Sequence, residues 1–405
     1  MWPSVRHLVR IVWLQLTIFV GLALIVELVA SLTLRVVPRR QTFDAAFVST
    51  ADAYEGASWA QPLLVTLASI RNRWQPYVYW IPEPTTTGEL SVEANGQRRT
   101  VHPAVGRASD DDYAVAMFGG STMFGWGARD EFTIPSIVAR LAAHHVPGAR
   151  VRVTNHGRDG YVTNQEVIQL EERLKAGERP HVVVFYDGIN DVETAIARQR
   201  AGETYEEETL RATTEGRRRL RRQALTTLLM ETSTVGVIRA LQRARSRPTD
   251  LEMRLAATDR DRLADEVVSV YLSNMAHVRR LSVAYGFDVL FYWQPMLYTK
   301  TAPTAYERSL FERRWFEDGP PVSSDIYRAL WLKVYDRIRA TPTRDPAFHD
   351  LSRLFDADPA PRFIDPQHLV GTAVLLVVHV DETVCGKRND HVFHGASPRK
   401  SAQSI

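Results

Sequence analysis

Four short segments of the chain carry side chains that could act together on one reacting group. Ser121 follows two glycines in VAMFGGSTMFGWG and precedes a stretch that reads as helix, which would present its hydroxyl beside a positive helix end. Standing alone, Gly-Gly-Ser-Thr reads equally well as a helix cap. Asp365-Pro366-Gln367-His368 sets a carboxylate three residues before an imidazole. That carboxylate can orient the ring and fix its tautomer, leaving the other nitrogen to deprotonate Ser121. Between them, the loop Asn155-His156-Gly157-Arg158-Asp159-Gly160 offers backbone N–H groups, and Asp187-Gly188-Ile189-Asn190-Asp191 offers the Asn190 amide. With the Ser121 N–H these donors would make an oxyanion hole. Asp187 and Asp191 could instead be a carboxylate pair acting on a glycosidic bond, which leaves the serine and the Asp-x-x-His unused. His144, His145 and His156 lack metal-ligand spacing, so no metal and no cofactor is expected, and the glycines lack the lysine of a phosphate-cradling loop.

These loops follow segments that read as strands. YAVAMFG, VRVTNHG, HVVVFYDG and FDVLFYWQP are short and mostly apolar, and stretches with helical periodicity separate them, at about 134–144, 164–175, 261–284 and 323–340. Strand–loop–helix at this spacing predicts βαβ units and a parallel sheet covered on both faces. Ligands of such sheets bind at the carboxyl ends of the strands, where all four loops fall. Residues 41–111 are aromatic-rich (Tyr54, Trp59, Trp74, Tyr77, Tyr79, Trp80), with Asn95-Gly96 predicting a tight hairpin; they read as an extension packed on the domain without chemistry of its own. Residues about 195–250, with Glu206-Glu207-Glu208 and Arg217-Arg218-Arg219, read as an inserted helical cap whose charges pair on a solvated face. Residues 381–405 read as a polar, poorly ordered tail.

Composition narrows the classes further. Net charge is only +3, and 45 of the 50 basic residues are arginine, a bias that does not by itself indicate a nucleic-acid partner. The one cysteine, Cys385, excludes an intrachain disulfide or a thiolate cluster. From Ile11 to Leu34 the sequence is apolar except for Glu27; as a helix it would be roughly 36 Å long, enough to cross a bilayer core of about 30 Å. The run is too long for a typical cleaved signal, so residues 1–40 are expected to be a retained anchor, with Glu27 reaching the interface. Arginines on both sides leave its orientation open.

Taken together, the blocks VAMFGGSTMFGWG, TNHGRDGYVTNQE, YDGINDV and FIDPQHLVG resemble those of the SGNH or GDSL hydrolases, over roughly residues 112–375. The Gln294-Pro295 pair after FYW resembles a segment of the membrane-tethered or exported members. The resemblance implies a three-layer α/β/α sandwich with a flavodoxin-like, mostly parallel sheet in residues 112–380. It implies Ser121 as nucleophile, Asp365 and His368 completing a triad, and Ser121, Gly160 and Asn190 as oxyanion donors. Asp191, Gly119, Gly120 and Gly188 would be structural neighbours. Gly120 stands where the family has aspartate. The implied activity is ester hydrolysis through an acyl-serine, on a small ester, a lipid or an O-acylated glycan, by a single-pass protein whose body is extracytoplasmic. An O-acyltransferase using the same triad and a silent tethered binding protein are the alternatives.

Overall fold

The computed structural model describes residues 2–36, 44–103, 112–145, 150–205, 207, 210, 234, 250–313, 325–341 and 345–369. The chain divides into two compact units: Met1–Thr42 with Glu206–Met253, and Phe43–Tyr205 with Arg254–Ile405. Most of the expected cap, the apolar stretch after His368 and the polar tail with Cys385 lie outside the described residues.

In the first unit, the helix Trp2–Val36 contains a 24-residue segment, Arg10–Thr33, long and apolar enough to span a membrane. Glu27 was expected to reach the interface. Its carboxylate instead accepts from the backbone N–H (3.1 Å) and hydroxyl (2.8 Å) of Thr234. An acid on an apolar helix is costly without such donors, and here they come from the chain itself.

The second unit is a three-layer α/β/α sandwich. Its strands are β1 (Asn72–Gln75), β2 (Tyr79–Pro82), β3 (Thr85–Thr86), β4 (Ser91–Val92), β5 (Tyr113–Gly119), β6 (Val151–Asn155), β7 (Val182–Asp187), β8 (Asp288–Trp293) and β9 (Phe348–Asp350). The last five form a wholly parallel sheet in the order β6-β5-β7-β8-β9. In chain order this is 2-1-3-4-5, the flavodoxin-like arrangement, whose switch point lies between β5 and β7. The residues of β7 are buried throughout, as a central strand covered on both faces requires. Val182, Val184 and Tyr186 share a core with Met117, Val153 and Tyr292. On the opposite face Phe185 stacks between Phe118 and Phe291, at 5.4 and 5.5 Å.

The helices Thr163–Lys175, Ile189–Arg198 and Asp325–Ala340 pack against the long helix Arg260–Tyr285. That helix begins where Asp259 accepts from the Arg262 N–H and ends at Gly286 in the left-handed region. Ile134–His145 packs on β6, with Ile134 and Ile137 in the core that also holds Val48, Tyr54 and Leu64 of the extension. The sequence reading left three features out: the helix Ala60–Ser69, the ribbon β1–β2 and the fifth strand β9. The turn expected at Asn95-Gly96 is present and is closed by the Val92–Arg98 bridge.

The segment bearing Asp365 and His368 hangs on a buried ion pair. Lys300 and Glu307 are both inaccessible to solvent, with Nζ 2.7 and 2.9 Å from the carboxylate oxygens. Glu307 also accepts from the N–H groups of Thr304, Arg362 and Phe363, and Lys300 donates to the Ala360 carbonyl. The Tyr306 hydroxyl donates to Ile364 O, and the Leu297 N–H to Pro366 O. Removing one partner of such a pair leaves an uncompensated buried charge. Lys300→Met is therefore expected to lower unfolding stability by about 3–5 kcal/mol, read as a lower denaturant midpoint for the full chain in detergent. An unchanged midpoint would contradict this account.

Candidate functional site

The carboxyl ends of β5 and β7 flank the switch point, and the first two site residues leave from there. Gly119 ends β5, Gly120 caps a four-residue turn of helix, and Ser121 is its first residue, buried at 8% exposure. Gly125, left-handed at φ +99°, ends the turn. The chain after it is clamped from the extension. Arg98, fully buried, donates to the carbonyls of Gly125 (2.7 Å) and Ala128 (2.6 Å) and pairs with Asp130 at 3.0 Å, while the Tyr54 hydroxyl donates to Gly127 O.

After β7, Gly188 adopts φ +120°, and a Cβ there would lie 2.8 Å from the Trp293 ring, so only glycine makes this corner. Asn190 follows in the first turn of Ile189–Arg198. Its Nδ2 donates to the Tyr161 carbonyl at 2.8 Å, which leaves the second amide hydrogen to another acceptor. A Cβ on Gly120 would stand 2.2 Å from that same Nδ2. The amide is thus seated directly against the backbone preceding Ser121. Asp191 accepts from the N–H and hydroxyl of Thr163, a structural bond between two helix starts.

Asp365 and His368 close the arrangement. Asp365 Oδ1 accepts from the N–H groups of Gln367 (2.8 Å) and His368 (2.7 Å), and its Oδ2 lies 2.6 Å from His368 Nδ1. With Nδ1–H donating there, Nε2 is left as an acceptor, 2.6 Å from Ser121 Oγ. Ser121, Asp365 and His368 form one continuous hydrogen-bonded chain, and Asn190 stands beside its serine. Carboxylate, imidazole and hydroxyl in this order are the parts of a base-activated nucleophile.

Gly160 sits at φ +73°, with the rings of Tyr205 and Trp80 within 3.4–3.6 Å of where a Cβ would be. His156 stacks on Phe118 at 4.7 Å and bonds to Gln97; burial, then Arg173 and Arg158, hold its pKa well below the usual value, as suits a neutral core histidine. Asp187 and Glu166 lie together in the interior, both Asp187 carboxylate oxygens and Glu166 Oε2 without a hydrogen-bond partner; burial pushes Asp187 up to about 8 and Glu166 well above its ordinary range. Buried so, Asp187 and Asp191 do not form a paired-carboxylate site. A cavity of about 400 Å³, lined by Tyr298, Asp336, Arg339, Arg353 and others, contains none of the residues of the serine site.

Sequence reasoning missed three neighbours of His368. Trp126 stacks on its ring at 5.5 Å and bonds to the Asp159 carboxyl. Asp159 is exposed as a residue, yet its carboxyl is desolvated and its pKa raised by burial, an effect opposed by His368 and Trp126. Glu193, one helical turn beyond Asn190, is buried and accepts from the Tyr205 hydroxyl at 2.5 Å. The i+3 spacing from Asn190 was the available signal for Glu193.

The sequence matches no known family model and no curated protein. Among solved structures it is similar to a G-D-S-L family lipolytic protein from Veillonella parvula, at 10% identity and TM-score 0.36, covering 69% of this chain and 98% of that one. It is similar to an alpha/beta hydrolase from the Lake Arreo metagenome, at 13% and 0.31, covering 68% and 96%. An acetylxylan esterase from Geobacillus stearothermophilus matches at 13% and 0.30, covering 68% and 94%. Superpositions this loose decide neither family nor activity.

Burial alone would lower the His368 pKa, but the Asp365 carboxylate and its hydrogen bond, with Asp159 and Glu193 beyond, prevail and raise it. Asp365 is correspondingly held below the usual carboxylate range, its own burial overcome by His368. A raised folded-state value means that the stabilisation from protonated His368 is fully present below about 6.5 and is lost as pH rises through the raised value. An NMR titration of the imidazole is expected to give a midpoint above 6.5, falling in Asp159→Asn. A midpoint at or below 6.5 in the wild type would overturn this electrostatic reading.

Proposed function

We propose that this chain is a membrane-anchored serine esterase of the SGNH type, cleaving carboxylic esters through an acyl-serine. The observation that carries the reading is the pair of 2.6 Å contacts linking Asp365, His368 and Ser121. Ser121 Oγ attacks the ester carbonyl as His368 Nε2 takes its proton. The N–H groups of Ser121 and Gly160 and the second amide hydrogen of Asn190 stabilise the oxyanion. His368 then protonates the leaving alkoxide. Water, deprotonated by His368, releases the acid and restores the serine. A silent binding role would need none of these alignments.

The substrate reading is an O-acylated envelope glycan, met on the extracytoplasmic side of the membrane that the Arg10–Thr33 helix would span. Glycine rather than the family's aspartate at position 120 fits the same chemistry, because the Asn190 amide occupies the space a side chain would need.

A fluorophosphonate probe is expected to label the full-length protein and not Ser121→Ala; a folded wild type that stays unlabelled would sink the proposal. Gly120→Ala and Asn190→Ala are each expected to lower kcat by about 10²–10³-fold. Both remove the same donor, so the double variant should be little worse than either single one. Additive losses would mean that the two positions act separately. The kcat/KM of the wild type should rise with pH through an inflection above 6.5, as His368 becomes the neutral base.

A further inference from the structure

Strand β1 of the ribbon β1–β2 is exposed, whereas β2 runs from half-buried to buried. All four residues of β1 face solvent, and Trp74 and Tyr77 are 61% and 70% exposed. Trp74 is paired directly across the ribbon with Trp80, which brings the two side chains to one face. The Trp74 and Tyr79 rings lie 5.8 Å apart at 34°. Tyr77 and Tyr79 adopt φ +67° and +74°, left-handed conformations that a bulky aromatic residue adopts at a cost and that glycine or asparagine would relieve. Burial does not account for the aromatic residues Trp74 and Tyr77.

The ribbon is fastened to the serine site. The Trp80 indole N–H donates to Asp159 O at 3.0 Å, the Tyr161 hydroxyl to Trp80 O, and Gln165 Nε2 to Val78 O at 2.8 Å. The Trp80 ring lies beside Gly160, and its cross-ribbon partner Trp74 lies next to the Tyr79 ring, so a row of aromatic residues extends from the Gly160 loop along the ribbon. Exposed amides, Asn72 and Gln75, flank it.

We propose that this row is a binding subsite for the pyranose rings of a glycan chain whose ester is presented to Ser121. Pyranose C–H faces stack on flat aromatic rings, while the ring hydroxyls need amide partners of the kind Asn72 and Gln75 supply. A lipid surface would also accept tryptophan and tyrosine. The bonds from the ribbon to the Asp159–Tyr161 loop, and the exposed Asn72, Arg73 and Gln75 around Trp74, favour the glycan. The subsite deepens the esterase reading, and its test is independent of turnover.

Full-length Ser121→Ala protein in detergent micelles would be titrated calorimetrically with partially O-acetylated cellohexaose and xylohexaose. We expect binding to at least one, weakened tenfold or more by adding Trp74→Ala and held within about threefold by Trp74→Phe. Val283→Ala, at an exposed position of the long helix, serves as the surface control and should leave binding unchanged. Binding of neither hexasaccharide, or equal binding by the Trp74→Ala variant, would overturn the subsite. So would fluorescence quenching in nanodiscs of brominated phosphatidylcholine that disappears in Trp74→Phe, which would assign the rings to lipid. Fluorophosphonate labelling without glycan binding removes the subsite alone. Binding without labelling removes the esterase reading and keeps the subsite.

Discussion

Glu307 is the residue on which the placement of the imidazole depends. A buried carboxylate must have its acceptor capacity filled, and here one ammonium and three backbone N–H groups fill it. Two of those N–H groups belong to Arg362 and Phe363, immediately before the strand-like pair in which the Ile364 N–H reaches His368 O. The carboxylate thereby fixes the entry of the Asp365–His368 turn. Asp365 then fixes the remainder by accepting from two N–H groups and the imidazole at once. The position of Nε2 relative to Ser121 follows from this sequence of local bonds, with no reliance on a long flexible side chain.

The serine half is set by different physics. A parallel sheet of order 2-1-3-4-5 opens a crevice at the carboxyl ends of β5 and β7, and both nearby corners are made by glycine. The absence of a side chain at Gly120 lets the Asn190 amide approach the Ser121 turn, and Gly188 lets the chain turn against Trp293. The two halves are thus positioned by different means, one by packing at the carboxyl ends of two central strands and one by a buried charge network. They meet at the Ser121–His368 contact and at the Trp126 ring stacked on the imidazole.

Much of this was legible in the sequence. Segments such as VVVFYD have no polar face and so announce a covered strand, and Asp-x-x-His is short enough for its geometry to be local. What escaped was non-local or too short for periodicity. Strand β9 spans three residues, and β1 lacks an apolar alternation because it buries nothing. The partners of Arg98 lie 26–32 residues away in the chain, so nothing around it distinguishes it from the many surface arginines. Glu27 was read as reaching for water because its acceptor need was visible in the sequence while its donor, Thr234, was 207 residues distant.

The clamp from Arg98 changes where the body that holds Ser121 can be said to begin. The first strand of the parallel sheet starts at Tyr113, and a boundary drawn there would look natural on topology alone. Yet the loop leaving the Ser121 turn has its carbonyls tied to Arg98 and Tyr54, and a core shared with Val48 and Leu64 lies beneath. The stretch between the apolar helix and the sheet is therefore a brace, inseparable from the body it supports. Recombination with a different anchor would have to cut ahead of Asp44, whose side chain caps the first short helix of that brace. The modular unit of this protein is longer than its sheet.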